Sequence, residues 1–327
     1  MRGLAVLSWV YVAALIAFAA TLLLVGESWW VGTIVMYLPR LPLALPIVVF
    51  LPLARTRARR PVLAVQAALA LAITVALARP HVSFGAPRAE GPTMRVLSYN
   101  VWYGRRGLPI IEKAIVDAKP DIVMLQAMSG RVDEHMRNAL ADGYVFHSTG
   151  EFLLASRYPI VDSKADGRAF IRYTLETPLG RVDAYNLHAI SPRPGLATVQ
   201  SQSKRTLLTD GPSAEAAETV QENTATRDAE LGALVEATAA SKNPVLIAGD
   251  TNVPDHSRLL RRHLARFQDG FAAVGTGFGY TFPSNKLRPW MRIDRILSGP
   301  ELRFTSFAVG DRAGSDHCPI WADLTRR

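Results

Sequence analysis

Cysteine is almost missing: Cys318 stands alone among 327 residues. That excludes an intramolecular disulfide and any zinc cluster built on thiolates, and a domain of this size needs no disulfide for its stability. Acidic residues are nearly missing from one region. Residues 1–94 carry eight arginines and only Glu27 and Glu90, so most of the formal charge of +9 lies there; the remainder sets 29 basic residues against 26 acidic ones. Overall basicity is therefore weak ground for a nucleic-acid substrate. No internal repeat is present, so the chain is not a repeat array.

Long apolar runs, by contrast, fill the first eighty residues. Residues 4–25 and 30–54 are each long enough to cross a hydrocarbon core of roughly 30 Å at about 1.5 Å per residue, and 61–78 suffices with its ends at the interfaces. Residues 1–80 are thus expected to form three transmembrane helices. A secretory signal is the competing reading of the first run, but its apolar part is too long and no small-residue cleavage site precedes Glu27. Arg55, Arg57, Arg59 and Arg60 sit between the second and third runs, and short loops rich in arginine stay in the cytoplasm. The amino terminus is then cytoplasmic, and the loop at Trp29 and Trp30 is external with its indoles among the headgroups. The domain after the third span is extracytoplasmic, which makes the chain a multi-pass inner or plasma membrane protein. Arg40 lies within the second run among Pro39, Pro42, Pro46 and Pro52. A kinked or shallow segment, in which Arg40 snorkels or pairs inside the bundle, accounts for it.

Residues 81–93 hold Gly85, Pro87, Gly91 and Pro92 without apolar periodicity and read as a linker, leaving 94–327 as one globular domain. Strands are expected near 95–102, 121–126, 144–147, 152–155, 170–176, 181–188, 245–248, 292–297, 304–309 and 319–324, with a hairpin turn at 177–180. Helices are expected at 108–118, 132–141, 224–240 and 257–267. The polar stretch 191–223 reads as a long loop. The mixture gives an α/β (α+β) class of layered sheets flanked by helices.

Polar residues recur where these strands should end: Asn100, His188, Asp250 with Asn252, Asp294, and Asp316 with His317. Singly, each has an ordinary explanation as a turn cap, a polar turn or a satisfied core histidine. Together they are a set of oxygen ligands for a hard cation and a histidine able to handle a proton. The segments Leu97-Ser-Tyr-Asn-Val, Asp121-Ile-Val-Met-Leu-Gln, Asn186-Leu-His, Gly249-Asp-Thr-Asn, Arg292-Ile-Asp-Arg-Ile and Ser315-Asp-His-Cys-Pro resemble, in sequence and order, the motifs of the endonuclease/exonuclease/phosphatase superfamily. This group includes pancreatic-type deoxyribonuclease and neutral sphingomyelinases. The resemblance spans about 230 residues and implies a four-layer α/β/β/α sandwich.

It also implies roles. His317 orients or activates the attacking water and Asp250 accepts its proton. His188 and Asn252 hold phosphate oxygens, while Asp294 and Asn100 complete the phosphate and metal surroundings. Asp316 orients a histidine or binds the metal. The cofactor implied is Mg2+, with Mn2+ or Ca2+ as substitutes. Arg227, four residues after Asn223 on an expected helix, either reaches the phosphate or lies on the surface, and the surface is favoured. The run Tyr280-Thr-Phe-Pro-Ser looks like the family's substrate-side loop.

One position departs from the family. Its Leu-Gln-Glu motif reads Leu125-Gln126-Ala127 here, and the glutamate is the principal metal ligand. Ala127 supplies no oxygen. Three accounts compete: a substitution that disables the enzyme, a pseudo-enzyme, or a replacement carboxylate from Glu151, Glu134 or Asp316. The intact remaining motifs favour the first. The function implied is a phosphodiesterase or phosphatase at the outer membrane surface. Membrane lipid is its partner, and the tether favours a lipid-linked phosphate over nucleic acid. An extracellular nuclease is the alternative, with Arg258, Arg261, Arg262 and Arg266 as its basic face, and an inactive binding or scaffold protein is the reading of another class. No protein partner is readable.

Overall fold

Two apolar helices frame the first eighty residues. The first, α1 (Arg2–Ala20), continues through a π turn and a 3-10 turn to Ser28. Together with α4 (Arg60–Ala78) it supplies the helices long and apolar enough to cross a membrane. Val10, Leu24 and Val65 on them remain exposed, an outward apolar surface that lipid tolerates and water does not. The run between them bends by 90°. It comprises α2 (Trp30–Met36) and a second half, Leu41–Arg55, that contains α3 (Pro46–Phe50). Pro39 and Pro42 at the bend have no N–H to continue a helix, and the buried Arg40 donates from Nη2 to the Met36 carbonyl at 2.7 Å. Among the described residues two helices are thus long and apolar enough to be spans, or three if the bent pair counts as one.

The two ends of this bundle differ. Leu4 and Ala5 pack with Phe50, Leu53 and Leu63, which gathers the residues near Arg2 and Arg60 at one end. Leu22 packs with Leu77 at the other. There the globular part is fastened: the Arg258 N–H donates to Glu27 Oε2 at 2.9 Å, and the His256 ring bonds the Leu77 carbonyl at 2.7 Å.

In the globular part, alternation along the strands sets the layers. The computed structural model describes residues 2–85, 87–202 and 213–327 and contains two six-stranded sheets. The first runs β11 (Leu302–Val309), β12 (Ile320–Arg326), β1 (Met94–Asn100), β2 (Ile122–Gln126), β4 (Phe152–Ser156), β3 (Val145–Thr149). The second runs β5 (Ile160–Ala165), β6 (Phe170–Thr177), β7 (Gly180–His188), β8 (Val245–Asp250), β10 (Asp294–Ser298), β9 (Gln268–Asp269). Between them lie Val96, Met124, Leu154, Tyr173, Leu246 and Ile296. Leu97 and Tyr99, of opposite parity on β1, face α5 (Leu108–Ala118) and α6 (Gly130–Ala139). Tyr185 and Ile247 face α8 (Ala214–Ala239) through Leu231 and Leu234. This is the four-layer sandwich the motifs implied, and β6 and β7 form the hairpin expected at 177–180.

The loop expected over 191–223 is corrected. Arg193–Gln200 forms a helix, α7, and α8 begins at Ala214, its first turn capped by the Ser213 hydroxyl accepting from the Ala216 N–H. Val199, Ala216 and Val220 pack on Trp30 and Ile34 of α2, a partner that local composition does not reveal. Residues 203–212 of that stretch lie outside the described residues. The helix expected at 257–267 shrinks to a π turn, Leu260–Leu264. The expected linker docks at its start, where His81 bridges to Gly277. Strand β5 and the short helix α9 (Gly270–Val274) were not expected.

Buried amides join the two sheets. Gln126 donates to Asn186 Oδ1 at 2.7 Å, and Asn186 donates to the Leu125 and Leu153 carbonyls at 3.1 and 3.3 Å. Replacing Asn186→Leu strands these groups without water, at a cost on the order of 3 kcal/mol. Thermal unfolding of the full chain in detergent should show a midpoint lower by roughly 5–10 °C. An unchanged midpoint would remove the seam from the account of the fold.

Candidate active site

The parity that builds the inter-sheet core continues past its end into polar residues. Met94 and Val96 lead to Asn100; Val182, Ala184 and Asn186 to His188; Leu246 and Ala248 to Asp250; and Ile296 back to Asp294. In register, Asp250 stands beside His188 on β7 and beside Asp294 on β10. Only glycine fits before Asp250, since a Cβ on Gly249 would lie 1.9 Å from the Leu187 carbonyl oxygen.

These side chains form an alternating series of carboxylates and imidazoles. Glu151 Oε1 bonds His188 Nδ1 at 3.0 Å, and His188 Nε2 lies 3.7 Å from Asp250 Oδ2. His317 Nε2 lies 3.6 Å from the same oxygen, and its Nδ1 bonds Asp294 Oδ2 at 2.9 Å. Asp250 also accepts from Asn100 Nδ2 at 3.0 Å, the Asn252 N–H at 2.9 Å and Asn252 Nδ2 at 3.3 Å. Burial pulls the His317 pKa down, but the charges of Asp294 and Asp250 outweigh it and raise it to about 9. Burial likewise opposes protonation of His188, yet its bond to Glu151 and the charge of Asp250 raise its pKa. Burial, with Asp294 beside it, lifts the Asp250 carboxyl above the usual carboxylate range against the pull of both histidines.

A cavity of about 250 Å³ opens over this series, lined also by Tyr37, Trp102, Ala127, Arg193, Phe282 and Asp316. The structure therefore brings together Asn100, His188, Asp250, Asn252, Asp294, Asp316 and His317, and it places Ala127 at the rim. Arg227 is neither at the surface nor on the cavity wall. It is fully buried, and its Nε donates to the Ile190 carbonyl at 2.9 Å, so the favoured surface placement is corrected: the guanidinium braces the chain two residues beyond His188. The expected basic face does not form from Arg258 and Arg262. Arg258 is turned onto the Val25 carbonyl and Ser28 Oγ, both at 3.3 Å, and Arg262 pairs with Asp228 at 2.9 Å.

Three residues of the site escape a reading of the sequence. Glu151, expected only as a replacement metal ligand, is the partner of His188. Tyr37 belongs to the bend of the apolar N-terminal segment, 215 residues before Asn252, whose carbonyl accepts its hydroxyl at 2.8 Å; no local signal links them. Arg193 forms an ion pair with the buried Asp316, and its guanidinium carbon lies 4.9 Å from the Phe282 ring centroid. The Ser-Pro-Arg-Pro stretch soon after His188 is its one available clue.

The donors do not fit a magnesium ion as the family motif would hold it. Six oxygens at close range are wanted, whereas Ala127 offers a methyl group. The charge of Asp316 is already matched by Arg193, and Asn100 Oδ1 accepts the Trp102 N–H at 3.1 Å. Glu134 is exposed on α6, off the cavity wall. Asp250, Asp294 and His317 bring ligand atoms within 4.8 Å of one another, but Asp294 is bonded to the His317 ring nitrogen.

A sequence profile of the Endonuclease/Exonuclease/phosphatase family matches residues 97–317. No curated protein matches the chain. Among solved structures, truncated TDP2 of Caenorhabditis elegans is 18% identical over 71% of this chain and 97% of its own, at a TM-score of 0.50. An endonuclease/exonuclease/phosphatase from Beutenbergia cavernae is 17% identical over 73% of this chain and 72% of its own, at 0.51. One from Bacteroides vulgatus is 17% identical over 72% of this chain and all of its own, also at 0.51. At such identities the likeness establishes the fold. Enzymes of this family are phosphoester hydrolases that generally use divalent metal ions.

The raised pKa of His317 makes stability depend on pH. Its folded value of about 9 exceeds the ordinary 6.5, so its contribution is complete below about 6.5 and is lost as pH rises through about 9. The midpoint difference between the native chain and His317→Gln should therefore be large at pH 6 and shrink by pH 9.5. A difference that does not change with pH would mean the imidazole is uncharged in the fold.

Proposed function

The chain belongs to the endonuclease/exonuclease/phosphatase family, and from that membership we propose that it hydrolyses a lipid-linked phosphate ester at the outer surface of a membrane. The observation that carries the membrane part is Tyr37. The bend of the membrane segment forms one wall of the catalytic cavity and bonds the Asn252 carbonyl, while the Trp290 indole donates to the Tyr37 carbonyl at 3.1 Å. This contact supports a substrate held at the headgroup level of the bilayer. The arginine-rich end of the bundle lies opposite the domain, which supports an extracytoplasmic domain by the distribution of positive charge.

In this reading the chain's own cations replace the missing donor set. Arg193 and the two histidines face the phosphate, and Asn100 and Asn252 fix Asp250 beneath it. With a pKa near 9, His317 is an imidazolium at neutral pH and donates a proton rather than accepting one. The raised Asp250 carboxylate takes the proton of the attacking water. As the water oxygen bonds to phosphorus the ester P–O bond breaks, and the proton from His317 goes to the leaving oxygen.

The test is hydrolysis of bis-p-nitrophenyl phosphate, plasmid DNA, sphingomyelin and inositol phospholipids by the full chain, with magnesium and with chelator. A phospholipid should be turned over with chelator present, and Arg193→Ala should lower kcat by about 10²–10³, as loss of a donor to the transition-state charge does. Abolition by chelator would reject Arg193 as the cation, and preference for DNA would reject the lipid. If neither the native chain nor Ala127→Glu turns anything over while one ligand binds, the domain is a receptor.

A further inference from the structure

Beside the catalytic cavity lies a second, larger one of about 440 Å³, and the two are continuous. Tyr37, Trp102, Arg193, Phe282, Met291 and Asp316 line both. Away from these shared residues the character changes from ionic to apolar. One side is Ile34, Leu38 and Pro39 of the bent membrane segment, and the other is Leu196 and Val199 of α7 with Trp290 of the domain. The groove thus runs from the carboxylate–imidazole series to residues of the membrane segment. At its rim the loop carrying Asn285 and Lys286 presents Leu287, 91% exposed, its carbonyl held by Arg312 Nη1 at 2.7 Å.

We infer that this groove binds the hydrocarbon tail of a lipid phosphate drawn from the surrounding leaflet, with its phosphate on Arg193 and the histidines. The inference rests on the lipid-phosphate reading above and adds the place where the tail lies. Three observations choose a lipid tail over other apolar occupants. One wall of the groove, formed by Ile34, Tyr37, Leu38 and Pro39, is built from the membrane segment itself. Its inner end is continuous with the cavity that holds Arg193, His188 and His317. Its rim offers an aliphatic side chain beside a lysine, the pairing that seats a loop among anionic headgroups. A tail entering here moves along an apolar wall from bilayer to site, whereas a water-soluble phosphate has no use for the groove.

The test uses the full chain in phosphatidylethanolamine–phosphatidylglycerol nanodiscs and a hexadecyl phosphate carrying a photoreactive diazirine in mid-chain. Adducts mapped by mass spectrometry should fall on Leu196, Val199 and Trp290, and Leu196→Trp should reduce them roughly 10-fold. The same variant should leave turnover of p-nitrophenyl phosphate within about two-fold, because that substrate has no tail to displace. Ile34→Trp fills the groove from the opposite side, so its agreement separates filling from misfolding. Adducts confined to the lipid-facing residues of α1 and α4, or groove adducts indifferent to both variants, would overturn the inference. Labelling needs no turnover, so a groove that labels in a chain that hydrolyses nothing would defeat the functional reading and leave the tail site standing.

Discussion

The site depends first on the amide seam between the sheets. Asn186 of β7 reaches across to the Leu125 and Leu153 carbonyls, and Gln126 reaches back to Asn186. These buried bonds form together only at one alignment of the two sheets. That alignment matters because the residues of the candidate site are divided. His188, Asp250 and Asp294 come from the second sheet, while Asn100 ends β1, Glu151 precedes β4 and His317 precedes β12 of the first. A slip of one sheet against the other would separate His317 from Asp294 and His188 from Glu151 together.

A second buried network fixes the other flank. Arg292 and Arg295 each pair with both Asp255 and Asp269, all at 2.7 to 3.0 Å. Burial alone would raise the Asp255 carboxyl, but the two guanidinium groups hold it well below the usual carboxylate range. A buried quartet of this kind is a poor source of net stability, yet breaking it leaves an unmatched charge inside the protein. Its geometric effect is on Asp294, which lies between the two arginines in sequence and starts β10. Asp255 also offers its carbonyl to Arg79 at 3.1 Å, so the end of α4 is tied to the strand that positions His317.

How much of this is legible in the sequence depends on the range of each interaction. Strand ends are local: an apolar alternation that stops at Asn100, His188 or Asp250 is visible within a few residues, so the layers and most of the side chains that converge on the cavity can be read from it. Arg227 could not be placed, because its helix shows no pronounced apolar stripe and the Ile190 carbonyl that it bonds is 37 residues away. The loop expected at 191–223 failed for a similar reason. Its short apolar residues form helices only because Trp30 and Ile34 are there to cover them. Tyr37 is the extreme case, a residue of the apolar N-terminal segment that becomes a wall of the candidate site's cavity. Periodicity gives no hint of that contact; only the tertiary fold creates it.

Ala127 was legible as a departure, but its consequence was not. It sits at φ +49°, in the left-handed region that costs an L-residue about 1–2 kcal/mol. A turn kept only to aim a metal ligand would have no reason to persist once the ligand was gone. This turn has other work: the Ala127 carbonyl accepts the Tyr103 N–H at 2.6 Å, and the next N–H, of Met128, donates to the Glu151 carbonyl at 3.1 Å. It therefore still places Glu151 against His188. Asp316, 2% exposed, raises the opposite problem, since without a cation it would be a bare buried charge. Arg193, at the start of α7, removes that problem by pairing with Asp316. The altered donor set is thus electrostatically complete, which is hard to reconcile with a site merely decaying from disuse.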